Sequence, residues 1–362
     1  MRTLSFDLAK QFAQGPIVRA ALEVSIERHP VTVLFGPSGS GKTTVLRCLA
    51  GLDKPDTGHI ELGGESWFDS TTRRFVPPQE RSVGLLFQDL ALFPHLTVEE
   101  NIGYGLRRLE RAERKERVRE LAHLLRIEDL LLRSISQISG GQRQRAALAR
   151  ALAPQPRLLL LDEPFSALDE PTRQQLRSEL RLVLERSGIP SLVVTHDRIE
   201  ALALGDQMAV LAEGQVRQVG PVHEVFSAPA DLVVARVVGT ENVSPARIIE
   251  RRQGLALIEL GTVKAWAIDP GHLDGVGYAC IRAEDVLLER QATTVTSARN
   301  EFPGLVLSIS EEGPLVRVAL DCGFRLVSLV TRESAERLSI APGHRIAALV
   351  KAQAIRVVPR ST

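Results

Sequence analysis

The sequence has only three cysteines, Cys48, Cys280 and Cys322, and they lie far apart. They form no CxxC pair and no Cys/His cluster, which argues against a disulfide framework and a structural zinc site and for small buried side chains in a reducing compartment. Long apolar runs are also missing. Stretches such as residues 158–161 fall far below the ~20 residues that cross a bilayer as a helix. Residues 1–10 lack the basic start and apolar run of a secretory signal. Neither sign of charge is in excess: 45 Lys+Arg against 44 Asp+Glu leave +1, where a protein that coats nucleic acid carries a clear basic surplus. A cytoplasmic chain is expected, and any membrane role must come through partners.

At 362 residues, with 25% charged and 44% hydrophobic residues, the composition is that of an ordinary globular protein of two or three domains. Strand and helix signals alternate to about residue 220. Residues 31–35, 157–162, 191–195 and 207–212 are short apolar runs suited to parallel strands covered on both faces. Between them, residues 43–52, 110–132, 142–152 and 171–187 read as helices, so an α/β parallel sheet is expected. Beyond about Glu241 the pattern becomes short strands punctuated by Asp269-Pro270-Gly271, Glu312-Gly313-Pro314 and Ala341-Pro342-Gly343, as in a small β-barrel module.

Gly36-Pro37-Ser38-Gly39-Ser40-Gly41-Lys42-Thr43, followed by Thr44, matches G-x-x-x-x-G-K-[ST] between an expected strand and helix. Such a loop turns backbone N–H groups and a helix N-terminus toward phosphate oxygens. Lys42 would reach the β/γ-phosphates of a nucleotide, as in a P-loop ATPase or GTPase, and the Thr43 hydroxyl would take a place on Mg²⁺. Only six of the basic residues are lysine, yet one stands here, where a compact ammonium fits and a planar guanidinium does not. Four leucines run into Asp162-Glu163. Beside a phosphate loop, Asp162 would hold Mg²⁺ through water and Glu163 would polarise the attacking water. His196 follows the apolar run 192–195, at a strand end where ligands of parallel sheets gather.

Ile138-Ser139-Gly140-Gly141-Gln142 opens a helix, and here the chain resembles the ABC ATPase family, whose signature is LSGGQ. Ile138 is a mild apolar departure at the first position. The resemblance covers about residues 1–230 and implies a head-to-tail homodimer in which each signature closes on ATP held by the other subunit. It also implies roles for Gln88 as the Q-loop glutamine contacting Mg²⁺ and the attacking water, Asp169 in the D-loop Ser166-Ala167-Leu168-Asp169, and His196 as the switch histidine. Phe12 is the candidate for adenine stacking, and Phe6 reads as core. The helical subdomain is expected at about 89–155. Its segment 110–132 alternates Arg and Glu as a solvated helix with i,i+4 pairs, because acids balance bases and aromatics are absent. Phe93-Pro94-His95-Leu96-Thr97-Val98 lies where the family docks membrane subunits.

After a linker and β-rich segment at 231–292, residues 293–357 resemble the molybdate-binding module of molybdenum-pterin-binding proteins. Thr296-Ser297-Ala298-Arg299-Asn300 and Val350-Lys351-Ala352 carry that resemblance, as Ile281-Arg282-Ala283-Glu284-Asp285-Val286 carries one to importer tails. Ser297, Arg299 and Lys351 could hold an oxyanion. A module that keeps the fold and binds nothing is the competing account, and Phe302-Pro303 departs from the usual aliphatic-then-Lys pair. The expected architecture is an α/β P-loop ABC ATPase domain with a helical subdomain, then an all-β, OB-like regulatory domain. The resemblance implies an ATP-hydrolysing, Mg²⁺-using subunit of a molybdate or tungstate importer, peripheral on the cytoplasmic face of the inner membrane. Permease subunits, a substrate-binding protein and a regulatory molybdate are the implied partners, with no nucleic acid. A sulfate/thiosulfate importer, a soluble ABC ATPase and a non-catalytic oxyanion sensor are the alternatives. The soluble class would bring a coiled-coil insertion or tandem ATPase halves that this chain lacks.

Overall fold

A computed structural model describes residues 3–12, 17–27, 30–166, 168–271, 273, 275–290 and 296–359. Its chain divides into two units, Met1–Val225 and Phe226–Thr362. Ala167 of the D-loop stretch and residues 293–295 of the C-terminal module lie outside the described residues.

The first unit begins with two strands of alternating burial, β1 (Thr3–Lys10) and β2 (Val18–Ser25), paired as a hairpin. The wholly buried β3 (Val31–Phe35) leads through the phosphate loop into α1 (Lys42–Ala50). Strands β4 (Thr57–Leu62), β5 (Glu65–Asp69) and β6 (Arg74–Phe75) follow, then β7 (Val83–Leu86). Three helices come next, α2 (Val98–Ile102), α3 (Arg111–Leu125) and α4 (Gly140–Leu152). The chain then alternates through β8 (Leu158–Asp162), α5 (Glu170–Ser187), β9 (Ser191–Thr195), α6 (Arg198–Leu204), β10 (Gln207–Ala212) and β11 (Gln215–Pro221).

These strands form two sheets. One is antiparallel in the order β2-β1-β4-β5-β6; the other runs β11-β10-β3-β9-β8-β7 and is parallel except for β11. α1 lies between them, since Val45, Leu46 and Leu49 share one core with Phe6, Leu8 and Trp67 of the first sheet and Leu160 and Leu192 of the second. β3, β8, β9 and β10 stand where the apolar runs placed them, whereas the parallel strand β7 was not read from the sequence. Phe6 is core, as read from the sequence. The antiparallel sheet was not foreseen, because β1 and β2 alternate with charged residues and carry no motif. The helix expected to reach Leu132 ends at Leu125. Arg126 takes a left-handed backbone (φ 56°) and the Ile127 N–H turns back to the Ala122 carbonyl, a C-terminal stop ahead of the single turn Glu128–Leu130.

Arg81 fixes the lower end of α1. It has no exposed surface, donates to the Cys48 and Leu49 carbonyls at 2.7 and 2.8 Å and to the Val76 carbonyl at 2.8 Å, and lies over the Trp67 and Phe75 rings. Helix C-termini leave carbonyls unpaired, and here a buried guanidinium answers two of them. Burial pushes its pKa down to about 10.

Besides short helices at Leu232–Val237 and Arg332–Arg337, the second unit holds two five-stranded antiparallel sheets: β14-β13-β12-β15-β21 and β16-β20-β17-β18-β19. Their strands are β12 (Asn242–Arg252), β13 (Leu255–Leu260), β14 (Val263–Ile268), β15 (Val276–Ile281), β16 (Leu287–Glu289), β17 (Asn300–Glu312), β18 (Leu315–Asp321), β19 (Arg325–Thr331), β20 (Arg345–Val350) and β21 (Arg356–Val358). One core containing Ile258, Phe302, Leu320 and Val357 runs through both expected tail segments, and the last strand returns to the first sheet. Two buried asparagines bracket the sheets. Asn242 accepts from the Val327 N–H and donates to its carbonyl, and Asn300 does the same with Trp266. Each amide stands in for a missing strand neighbour.

Arg81→Met removes the guanidinium donor from the Leu49 and Val76 carbonyls and leaves the Cys48 carbonyl with only the Gly51 N–H. A loss of about 3 kcal/mol is expected, read as a lower urea midpoint; a change below about 0.5 kcal/mol would remove Arg81 as the anchor of α1.

Candidate functional site

The parallel register fixes the site. Phe35 pairs with Thr195, and Asp162 with Val194. Gly36, Glu163 and His196 therefore leave three neighbouring strands at one edge of the sheet, at the carboxyl ends where ligands of such sheets bind.

The phosphate loop presses on its neighbours. A Cβ on Gly36 would lie 2.1 Å from the Leu211 carbonyl oxygen, and Gly41, with φ 103°, would drive one into Val18. Glycine is required at both. The Ser40 hydroxyl is buried with no hydrogen-bond partner among the described residues. Lys42 opens α1 and is almost wholly buried; its ammonium donates to the carbonyls of Gly36 and Pro37 at 2.9 and 2.8 Å. Burial lowers its pKa, against the pull of Glu163 and Asp162. Thr43 donates to the Asp162 carboxylate at 3.2 Å. Burial pushes the Asp162 carboxyl above the ordinary aspartate range, and the Thr43 bond opposes it.

A desolvated carboxylate beside a hydroxyl oxygen is a hard-oxygen pair of the kind Mg²⁺ takes with substrate phosphates. No group of three or more His, Cys, Asp or Glu that could hold a metal occurs among the described residues. A bound magnesium ion would draw its remaining ligands from phosphate and water, so the donor set fits the ion.

Glu163 sits at φ 43°, a left-handed backbone for a non-glycine residue, held by its N–H bond to the Val194 carbonyl at 3.0 Å. Its carboxylate lies 2.9 Å from His196 Nδ1. Next to His196, Thr195 donates to the buried Glu200 carboxylate at 2.5 Å and accepts from the Asp197 N–H. Asp197 caps α6 and takes a 3.4 Å contact from Arg177. Burial raises the Glu200 pKa, with the Thr195 bond opposing.

Ser139 caps α4. It accepts from the Gln142 N–H at 3.3 Å while the Gln142 side chain accepts from the Ser139 N–H at 2.9 Å. This closed box leaves Gly140 and Gly141 as the first residues of the helix. Gln88, two residues after β7, lines a cleft of about 300 Å³ with Gly140, Gln144, Pro164 and Ser166. Ser166 folds back on the Glu163 carbonyl through its N–H and hydroxyl, both at 3.1 Å, and Asp169 caps α5. Phe12 stands 42% exposed beyond β1, away from the core.

In the second unit Asn300 pairs with Val350, so the flanking Arg299 and Lys351 leave the sheet at the same end. The Arg299 guanidinium lies 4.6 Å from the Trp266 ring centroid. Ser297 and Lys351 are exposed. The supports of the site were not read from the sequence: Thr195, Asp197 and Glu200 behind His196, and Trp266 under Arg299. A threonine and carboxylates at i+2 and i+5 form a recognisable capping pattern only once the strand end is placed.

Against known families, residues 20–166 match the ABC transporter model and residues 296–357 the TOBE domain model. A molybdate/tungstate import ATP-binding protein of Pyrococcus abyssi is 40% identical over 353 residues, 97% of this chain and 98% of that protein. A sulfate/thiosulfate import ATP-binding protein of Thermosynechococcus vestitus is 37% identical over 94% of each chain. Among solved structures, a dimeric ATP-binding cassette in a post-hydrolysis state with ADP and phosphate bound shares 30% identity at a TM-score of 0.51. The match covers 60% of this chain and 98% of that one.

Because burial raises the native Asp162 pKa above the unfolded value, the nucleotide-free chain is more stable with this group neutral. That stability is full below the unfolded pKa and is lost as pH rises through the native one. Asp162→Asn is therefore expected to raise the Tm of the protein without added nucleotide at neutral pH. An unchanged or lower Tm by calorimetry would contradict the cost assigned to this charge.

Proposed function

This chain belongs to the ABC transporter ATP-binding proteins, and from that premise we propose that it is the ATP-hydrolysing subunit of an importer for molybdate or tungstate. It works as a homodimer docked on separate permease subunits at the cytoplasmic face of the membrane, with a substrate-binding protein joining through the complex. No helix among the described residues is long and apolar enough to cross a membrane, so passage of the substrate falls to the permease. The observation that carries the ATPase reading is the strand register that sets Lys42, Asp162, Glu163 and His196 at one sheet edge.

In this reading the phosphate loop and Lys42 bind the triphosphate. Lys42 exchanges its bonds to the loop's own carbonyls for phosphate oxygens, and the buried Ser40 hydroxyl gains a partner. Thr43, Asp162 and Gln88 would hold Mg²⁺, which when bound neutralises the charge on the β- and γ-phosphates. Glu163 orients a water for in-line attack. His196, held against Glu163, keeps that carboxylate aimed and stabilises the closed state. Ser139 and the following turn reach the nucleotide of the opposite subunit, and Asp169 belongs to the same interface. Phe12 is the proposed adenine platform.

The substrate assignment is supported by the near-complete match to the molybdate/tungstate relative and by the C-terminal module. Arg299 and Lys351, emerging at one sheet end near Ser297, are the proposed oxyanion contacts of a regulatory site there. Sulfate remains the competing substrate, given the relative of that name.

Glu163→Gln keeps the shape of the site and removes the base. Hydrolysis is expected to fall by about 10²–10⁴-fold, with ATP-bound dimers accumulating on size exclusion; full turnover in this variant sinks Glu163 as the water-orienting group. Cells deprived of this chain are expected to stop accumulating molybdate and tungstate while sulfate uptake continues. The reverse pattern transfers the assignment to sulfate.

A further inference from the structure

α4 is bonded to its surroundings at several points along its length, among them an Arg145–Glu179 pair at 2.7 Å. Ser139 caps its start. The buried Gln144 donates to the carbonyl of Pro164, the residue after Glu163. In its last turn, Arg150 donates to the Leu90 and Ala91 carbonyls at 2.8 and 2.7 Å. Those two residues follow Gln88 closely and both have positive φ, 62° and 43°. Side chains of this kind rarely adopt that backbone, and it persists only where surroundings hold it.

The rest of this loop is equally constrained. The Arg150 guanidinium lies 5.4 Å from the Phe93 ring centroid, and Phe93 stacks at 4.3 Å on Tyr104. Asn101 of α2, fully buried, accepts from the Phe93 N–H and donates to the carbonyls of Phe93 and Thr97. The far end of the loop is thus fastened to α2, and the near end to α4 through one side chain.

We propose that Arg150 is a positioning residue that ties the backbone after Gln88 to the helix carrying the signature turn, so that the two segments respond to nucleotide as one body. The proposal rests on the ATP reading above. A helix of this length is stiff, and Arg150 stands about 16 Å along it from Ser139. A displacement at the signature turn therefore reaches the Leu90 and Ala91 carbonyls without slack. The residue type matters: the planar guanidinium gives each carbonyl its own nitrogen, Nη1 to Ala91 and Nη2 to Leu90, in a fixed fork, whereas an ammonium at this reach would have to serve both from one nitrogen.

The test places Arg150→Gln and Arg150→Lys in the full chain carrying Glu163→Gln, and follows backbone hydrogen exchange with and without Mg·ATP. In the parent, nucleotide is expected to slow exchange at 89–97 and 138–149 together. In Arg150→Gln the response at 89–97 is expected to fall about tenfold or more, while 138–149 and the phosphate loop at 36–44 keep theirs; Arg150→Lys falls between. An equal response at 89–97 in parent and Arg150→Gln overturns the tie. Faster exchange spread evenly over the first unit also overturns it, because that pattern marks lost stability alone. Absence of nucleotide protection at 36–44 in the parent overturns the ATP reading, and the tie falls with it.

Discussion

The parallel pairing of β3 with β9 and of β9 with β8 is the constraint on which the rest of the site depends. Each of these strands is buried along its whole length, so no polar side chain can do chemistry within the sheet. Polar groups collect where the strands end, and the register brings the three ends level. The same burial sets the electrostatics. Lys42 and Asp162 are both desolvated and both shifted toward their neutral forms. Such a pair favours a ligand that brings its own opposite charges, anionic phosphates for the lysine and a cation for the carboxylate. A site of this kind holds charge without any charge excess in the chain, which is why the +1 balance says nothing about anion binding.

Legibility in the sequence followed how narrowly chemistry restricts each residue. The phosphate loop, the Asp162-Glu163 pair and the Ser139-Gly140-Gly141-Gln142 turn admit few alternatives, and they stand at the expected strand and helix ends. The residues that hold them do not announce themselves. Arg81 and Arg150 belong to a chain rich in arginine, and in the sequence each reads as one more solvated charge. Only the fold shows that one caps α1 and the other grips two left-handed residues. Asn101 likewise looks like a neutral helix residue until its amide is seen bonded to Phe93 and Thr97. Polar groups acting on backbone carbonyls leave no periodic signal, because any segment of chain supplies a carbonyl.

The C-terminal unit follows a different rule. Most of its strands were legible from turn residues and alternation, yet β12, β16 and β21 were missed. β12 ends in a run of charges, and β16 and β21 have only three residues each. The sheets hold together through a shared apolar core and two asparagine brackets, one of which, Asn300, belongs to the stretch that suggested oxyanion binding. That asparagine is committed to structure. Its side chain bonds Trp266 and the Val350 carbonyl, which orders the strand ends and leaves Arg299 and Lys351 to face outward. The motif thus combines a structural residue with cations placed by it, and the two parts are separable in physical terms.

The signature turn shows the same division within one residue. Ser139 Oγ already accepts from the Gln142 N–H, and Gln142 returns the bond to the Ser139 N–H. A serine whose hydroxyl were free to rotate would lose conformational entropy on meeting a phosphate. Here the oxygen is fixed beforehand and the hydroxyl proton has no acceptor among the described hydrogen bonds. It is therefore available to an anion, in the proposed reading the phosphate of the opposite subunit's nucleotide, at the positive end of α4, where the N–H groups of Gly140 and Gly141 point the same way. Glutamine at the third helical position serves this better than glutamate, although both complete a capping box. A carboxylate there would set a negative charge at the place where the proposed reading brings phosphate. The neutral amide caps the helix and leaves the field to the backbone.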